Sequence, residues 1–212
     1  APFMPVRDVT PVPGCDPHID GDHDQVRVRG TFGLNRKGPD ARCDAGRLAK
    51  VTALEHGPLR AMVQLEFSLP GCVFYRVLLS VWADLPRVDA VVRLLKEPTW
   101  APENLYVALP FAPPAADPAE LWIDKPGALL RPAHDLLPGA LTDFTSVESG
   151  FALVGGNSGI VVATPDAPLL QLGSLAAGAR ELAGRDRGAK RPSYPYSWIM
   201  TNFWETNFRA ET

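Results

Sequence analysis

The chain's 212 residues are 46% hydrophobic and 21% charged, with a formal net charge of -3, the balance of a chain that buries a sizeable core rather than of a disordered one. No run of Lys or Arg exceeds a pair, which argues against a nucleic-acid or anionic-membrane partner, because both need a concentrated basic face. No stretch approaches the roughly 20 apolar residues of a membrane-crossing helix, and the length suits one large domain, so a single domain over 1–212 is expected.

The opening "APFMPVRDV" lacks the charged-then-apolar layout of a secretion signal, and no compartment follows from that. Ala at position 1, and a last stretch "FRAET" that runs straight on from an apparent strand, suggest a piece of a longer polypeptide. Residues 1–55 read as an irregular or strand-poor lead-in whose one strand candidate is "QVRVRGTFG" (25–33). The 22 Pro and 18 Gly are spread along the whole chain, so most uninterrupted segments are too short for helices and suit strands. Three segments, "RAMVQLEFSL" (60–69), "CVFYRVLLSVWA" (72–83) and "RVDAVVRLL" (87–95), are rich in Val, Leu and aromatics and are separated only by "PG" and "DLP", which predicts an antiparallel meander. In the first of them Met62, Gln64 and Glu66 alternate with Ala61, Val63, Leu65 and Phe67, giving one partly wet and one apolar face.

Further strands are predicted at "NLYVALPFA" (104–112), "AELWID" (119–124), "SGFALVG" (149–155), "GIVVATPD" (159–166) and "SWIMTNFW" (197–204). About nine strands make the expected fold an all-β, large antiparallel β-sandwich with little helix. The single helix candidate, "SLAAGARELAG" (174–184), is weakened by its two glycines. "GRDRGAKRPSYP" (184–195) reads as a polar, basic loop, and the Pro-rich "PFAPPAADPAE" (110–120) as a stiff surface connection.

Chemistry-bearing residues are few. "CDPHIDGDHD" (15–24) gathers His18, Asp20, Asp22, His23 and Asp24, but a calcium loop begun at Asp20 would have Gln25 at its sixth position and Thr31 at its twelfth, where Gly and Glu are needed; it reads as a solvated acidic loop. Cys15, Cys43 and Cys72 are an odd number at wide spacing, which fits neither a disulfide framework nor a zinc ribbon, so they read as buried or free thiols, with a Cys15–Cys43 bridge left open. Glycoside cleavage typically uses two carboxylates roughly 5–9.5 Å apart. Asp124, Asp135, Asp143, Glu148, Asp166 and Glu205 are available, but sequence spacing names no pair among them. There is no Gly-x-Ser-x-Gly elbow, and "NSG" at 157–159 reads as a turn. In the tail "SWIMTNFWETNF" (197–208), Trp198, Met200, Asn202 and Trp204 would share one face of a strand. Two readings stand for that face: a sugar-stacking surface with Glu205 and Asn207 beside it, or a core strand whose indoles fill the interior, with at least one Trp buried.

Several stretches, in order, resemble the C-terminal β-sandwich region of glycoside hydrolase family 38, the α-mannosidases. "SVWADLPRVDAVVRLLKEPTWAPENLYVALPFA" (80–112) carries an E-x-x-Y-x-A-x-P-F signature at Glu103, Tyr106, Ala108, Pro110 and Phe111; "RPAHDLLPGALTDFTSVESGFAL" (131–153) is similar to the family's D-x-L-P-G segment; "GIVVATPDAPLLQLG" (159–173) keeps the T/S-P-D-A-P-L-x-Q-x-G run; and the tail resembles its N-x-x-W-x-T-N ending. The resemblance spans about residues 60 to 210. It implies a galactose mutarotase-like supersandwich, belonging to a retaining α-mannoside hydrolase whose zinc ion and aspartate nucleophile lie in an N-terminal (β/α) barrel that this chain does not contain. His18-Ile19-Asp20 is only superficially similar to that barrel's zinc pair, so no metal, cofactor or catalytic residue is carried over. What is implied here is a non-catalytic sandwich whose partners are the barrel of the same polypeptide and carbohydrate, with Asn202, Trp204, Glu205, Asn207 and Asp166 as carbohydrate-binding or site-shaping residues; Asp166 would cap the backbone amides of the Pro165–Pro168 turn. The alternative is a free-standing carbohydrate-binding or interaction module.

Overall fold

The computed structural model describes residues 1–9, 42–99, 103–112, 114, 117–140, 142, 144–172, 175 and 194–201. These form the strands β1 (Pro5–Val9), β2 (Arg42–Ala45), β3 (Arg47–His56), β4 (Arg60–Ser68), β5 (Cys72–Trp82), β6 (Val88–Lys96), β7 (Glu103–Ala108), β8 (Glu120–Lys125), β9 (Ala128–Leu130), β10 (Phe144–Ser146), β11 (Gly150–Val154), β12 (Gly159–Ala163), β13 (Leu169–Gln171) and β14 (Tyr196–Thr201). No helix occurs among the described residues; the strand expected at 25–33 and nearly all of the helix expected at 174–184 lie outside them.

All strand pairings are antiparallel and make three sheets: a six-stranded sheet in the order β10-β13-β14-β7-β1-β2, a four-stranded sheet β12-β11-β8-β9, and the meander β3-β4-β5-β6. The three share one core. Phe67, Tyr75 and Val77 of the meander pack with Val107 and Leu109, Ile123, Phe151 and Leu170 from the other two sheets, so the chain is an all-β antiparallel sandwich. Its core face follows the expected alternation: Phe67 and Tyr75 meet edge to face with centroids 5.8 Å apart, while Glu66 and Arg76, one residue back and one on, form an ion pair on the opposite face.

The "PG" between β4 and β5 works through its backbone. Cys72 N–H donates to Leu69 O at 3.2 Å, and Gly71 sits at φ 80° after Pro70, the signature of a type II turn. A Cβ on Gly71 would also lie 2.8 Å from Arg7 Cζ, because β1 passes directly behind the turn.

β1 is the main departure from expectation. The lead-in through residue 55 carries β1, β2 and nearly all of β3 instead of being strand-poor. β1, with the sequence Pro-Val-Arg-Asp-Val, is buried along its whole length because it lies between β2 and β7. Burying Arg7 is tolerable only with a counter-charge. Arg7 Nε donates to Glu103 Oε2 at 2.7 Å, and Lys96 Nζ also contacts the Glu103 carboxylate. The side chains of Arg7, Lys96 and Glu103 are 11%, 7% and 3% exposed, so one carboxylate ties β1, β6 and β7 together. The half-buried Cys72 thiol lies beside this cluster; burial pushes it up, with Lys96 and Arg7 pulling it down and Glu103 pushing it up.

The 155–158 turn is pinned from outside. Asp117 accepts hydrogen bonds from Gly156 N–H (2.7 Å), Asn157 N–H (3.1 Å) and Ser158 Oγ (2.7 Å), and a Cβ on Gly155 would collide with its carboxylate. Those donors hold the Asp117 carboxyl below the ordinary range, the Ser158 hydroxyl contributing most. A depressed folded pKa stabilises the native state above the ordinary Asp value of about 3.9 and loses that contribution as pH falls toward the folded value. Asp117→Ala should therefore lower the melting temperature at neutral pH and flatten its decline between neutral and acid pH; an unchanged acid limb in a melting series would remove the carboxylate from the argument.

Candidate functional site

Directly opposed residues of antiparallel neighbours project to the same face of a sheet. On the six-stranded sheet this places Phe144, Gln171, Tyr196, Ala108, Trp198, Tyr106, Thr201 and Asn104 on one face, while Leu105, Val107, Leu170 and Ser197 take the other. The first face is a connected aromatic cluster. Tyr106 lies 5.5 Å from Trp198 and 6.2 Å from Tyr196, Phe144 meets Trp198 edge-on at 5.5 Å and 86°, and Tyr194 lies 5.2 Å from Tyr196. Tyr106, Asn104 and Gln171 are buried at its base, whereas Trp198, Phe144, Tyr194 and Tyr196 are half-buried.

Trp198 is held as well as packed. Its indole N–H donates to Met200 O at 3.1 Å, and Phe144 and Tyr106 fix its ring. Beneath it Thr201 Oγ1 and Asn104 Oδ1 are 2.7 Å apart, joining the ends of β14 and β7. Burial pushes the Tyr106 phenol well above its ordinary value, and Asp8 on the neighbouring strand adds to the shift. The Tyr196 phenol is likewise raised, first by burial and then by its hydrogen bond with Tyr194. The phenols therefore stay neutral across physiological pH, and the cluster presents uncharged ring surface over buried amides. This composition offers ring faces and edges for stacking.

The expected face pattern of the tail is corrected at one point. A bulge between Trp198 and Met200 sets Trp198 opposite Tyr106 but Met200 opposite Leu105, and adjacent residues of β7 point to opposite faces. Trp198 and Met200 thus do not share a face; Ile199, the extra residue, packs against the core. Of the expected site residues, Asn202, Trp204, Glu205 and Asn207 lie outside the described residues.

Asp166 is described, and it stands exposed in the turn after β12. That turn is closed by Ala167 N–H donating to Thr164 O at 3.2 Å, and the Asp166 carboxylate accepts no hydrogen bond among the described residues, so the expected cap is not made there. The carboxylate that does cap a turn is Asp117, which sequence reasoning passed over inside the Pro-rich connection.

The other carboxylates are dispersed. Asp124 accepts from Ser149 Oγ. Asp135 accepts from Arg131 N–H, Nε and Nη2 at 2.7, 3.2 and 3.1 Å, which holds its carboxyl below the ordinary range. His134 lies exposed, 3.4 Å from Glu120, in the solvated turn expected for it. Asp143 and Glu205 are outside the described residues. Among the described residues no group of three or more His, Cys, Asp or Glu side chains could hold a metal ion; the "CDPHIDGDHD" segment lies outside them. No described helix is long and apolar enough to cross a membrane.

Tyr106, Tyr194, Tyr196, Phe144, Asn104 and Gln171 are the site residues that sequence reasoning missed. The signal lay in the motifs: Tyr106 is the Tyr of the E-x-x-Y-x-A run, and Gln171 is the Gln of the P-D-A-P-L-x-Q run. No protein-family model, no curated protein and no solved structure matches this chain.

Proposed function

We propose that this sandwich is the C-terminal, non-catalytic β-domain of an α-mannosidase-like glycoside hydrolase, backing the catalytic barrel of the same polypeptide and offering its aromatic face to carbohydrate. One observation carries the reading. Three stretches on which the resemblance rests, 103–111, 159–173 and 197–208, are far apart in the chain, yet β7, β14 and β13 are neighbours in one sheet, and the motif residues Tyr106 and Gln171 fall on the same face as Trp198 of the tail. On this reading the three-sheet arrangement is of the galactose mutarotase-like supersandwich type, and the reaction's zinc and nucleophile belong to the barrel.

The test has two arms. The 212-residue chain, supplied with zinc, leaves an aryl α-mannoside uncleaved, while the natural protein has an intact mass far above 22.9 kDa and cleaves it; a natural mass near 22.9 kDa would replace the hydrolase reading with that of a free-standing carbohydrate-binding module. Titration with manno-oligosaccharides reads the aromatic face directly. Trp198→Ala is expected to weaken binding about tenfold, since an aromatic stack contributes roughly 0.5–1.5 kcal/mol and tenfold corresponds to about 1.4 kcal/mol. Equal affinity in a folded Trp198→Ala variant would sink the carbohydrate role of this face.

A further inference from the structure

The meander has two outer edges, and they are built differently. β3 carries two register shifts, between Leu48 and Lys50 and between Ala53 and Glu55, together with Arg47, Lys50 and Glu55, which are devices that keep an edge from pairing. β6, with the sequence Val-Asp-Ala-Val-Val-Arg-Leu-Leu-Lys, runs nine residues with Val88, Ala90, Val91, Arg93 and Leu95 exposed, and no described strand pairs with its outer side. A long, regular, apolar edge of this kind is a template for another strand.

The direction of its backbone groups can be worked out. In an antiparallel pair, alternate residues turn both N–H and C=O toward the same neighbour. Ala83 N–H donates to Leu59 O across the β4–β5 pair, so odd-numbered residues of β5 bond toward β4 and even-numbered ones toward β6. Through the register Ser80↔Asp89, Leu78↔Val91 and Arg76↔Arg93, Asp89, Val91 and Arg93 bond inward to β5. Val88, Ala90, Val92 and Leu94 are left with their N–H and C=O groups directed outward. Glu97 N–H, donating to Gly71 O across the β5–β6 pair, gives the same parity.

We infer that β6 pairs antiparallel with β6 of a second copy of this chain, about a two-fold axis at Val91, to make one continuous eight-stranded sheet. The charges select this register. With Val91 opposite the partner's Val91, Asp89 faces the partner's Arg93 and Arg93 faces the partner's Asp89, in the non-hydrogen-bonded positions where side chains approach most closely. Arg93 is exposed and has no ion pair among the described residues, and Asp89, although it accepts from Trp82 Nε1 (2.8 Å) and Arg87 Nε (2.6 Å), keeps lone pairs for a further donor. On the core-side face the same register sets Val88 against the partner's Leu94 and Ala90 against its Val92, apolar on apolar, with outward backbone groups matched. The contact is isologous and closed, and the bulged β3 edge keeps it from propagating. It also brings the covered Leu94 end of each strand beside the bare Val88 end of the other, where Val81 and Val88 are now 48% and 56% exposed.

Sedimentation velocity on the full chain over a concentration series tests this. The wild type is expected to sediment as a dimer, twice 22.9 kDa. Ala90→Pro removes one outward N–H without touching the β5–β6 ladder and is expected to give monomer. Arg93→Asp, which sets like charges opposite one another twice, is expected to weaken dimerisation about tenfold, and the double variant Asp89→Arg, Arg93→Asp to restore it. The pairing is overturned by a monomeric wild type, by a dimer or larger species that persists in Ala90→Pro with its native melting transition, or by failure of the charge exchange to rescue Arg93→Asp in chains that melt cooperatively.

Discussion

Glu103→Ala is expected to cost about 3–5 kcal/mol of stability, the range found when one partner is removed from a buried ion pair. The cost arises less from the lost attraction than from what remains: Arg7 and Lys96, 11% and 7% exposed, would be left charged without the carboxylate they share. Against a total stability of roughly 5–15 kcal/mol for a domain, such a loss brings the chain close to unfolding at room temperature. Glu103→Gln keeps the shape and an acceptor oxygen, and should recover part of the loss. A second readout separates charge from packing. Glu103 is one of the groups that push the Cys72 thiol up, and Lys96 and Arg7 pull it down, so in folded Glu103→Gln the thiol's pKa falls and alkylation of Cys72 at mildly alkaline pH becomes faster than in the wild type. Urea melts showing a loss below about 1 kcal/mol, the value of an exposed pair, would mean that water reaches the cluster.

The same cluster explains where the sequence was legible. β4, β5 and β6 are long runs of Val, Leu and aromatics, the first of them alternates, and the Pro-Gly turn between the first two announces itself, so three strands of the meander could be written down from residues alone, whereas β3 fell in the lead-in read as strand-poor. β1 could not, because Arg7 and Asp8 break any apolar pattern; the burial of Arg7 is made tolerable by a glutamate nearly a hundred positions away, and periodicity sees no such partner. β9, β10 and β13 have three residues each, too few for a period to show, and exist because longer neighbours pair with them. The candidate site divides in the same way. Trp198 stood out as an aromatic in the tail, whereas Tyr106, Phe144 and Gln171 join it only through strand order. The bulge at Ile199 reverses the facing of Met200, and a strict two-residue period cannot anticipate it.

β13 provides the second large effect, because its two functions sit one residue apart on opposite faces. Leu170 is fully buried in the shared core, and Gln171 lies at the base of the aromatic cluster. Leu170→Ala is expected to cost about 2–5 kcal/mol, from lost transfer energy plus the cavity left behind. Equilibrium urea unfolding should show the midpoint falling with the slope unchanged. The backbone pairing of Leu170 to Thr145 and Ser197 survives the change, so Gln171 stays in register and the aromatic face keeps its geometry. A Leu170→Ala chain that is still folded should therefore bind manno-oligosaccharide as the wild type does, whereas Trp198→Ala weakens binding with a smaller loss of stability. If both variants lose binding in proportion to stability, the face is a second core and the carbohydrate reading falls; if the two losses separate, the sheet holds the fold together with one side and presents a surface with the other.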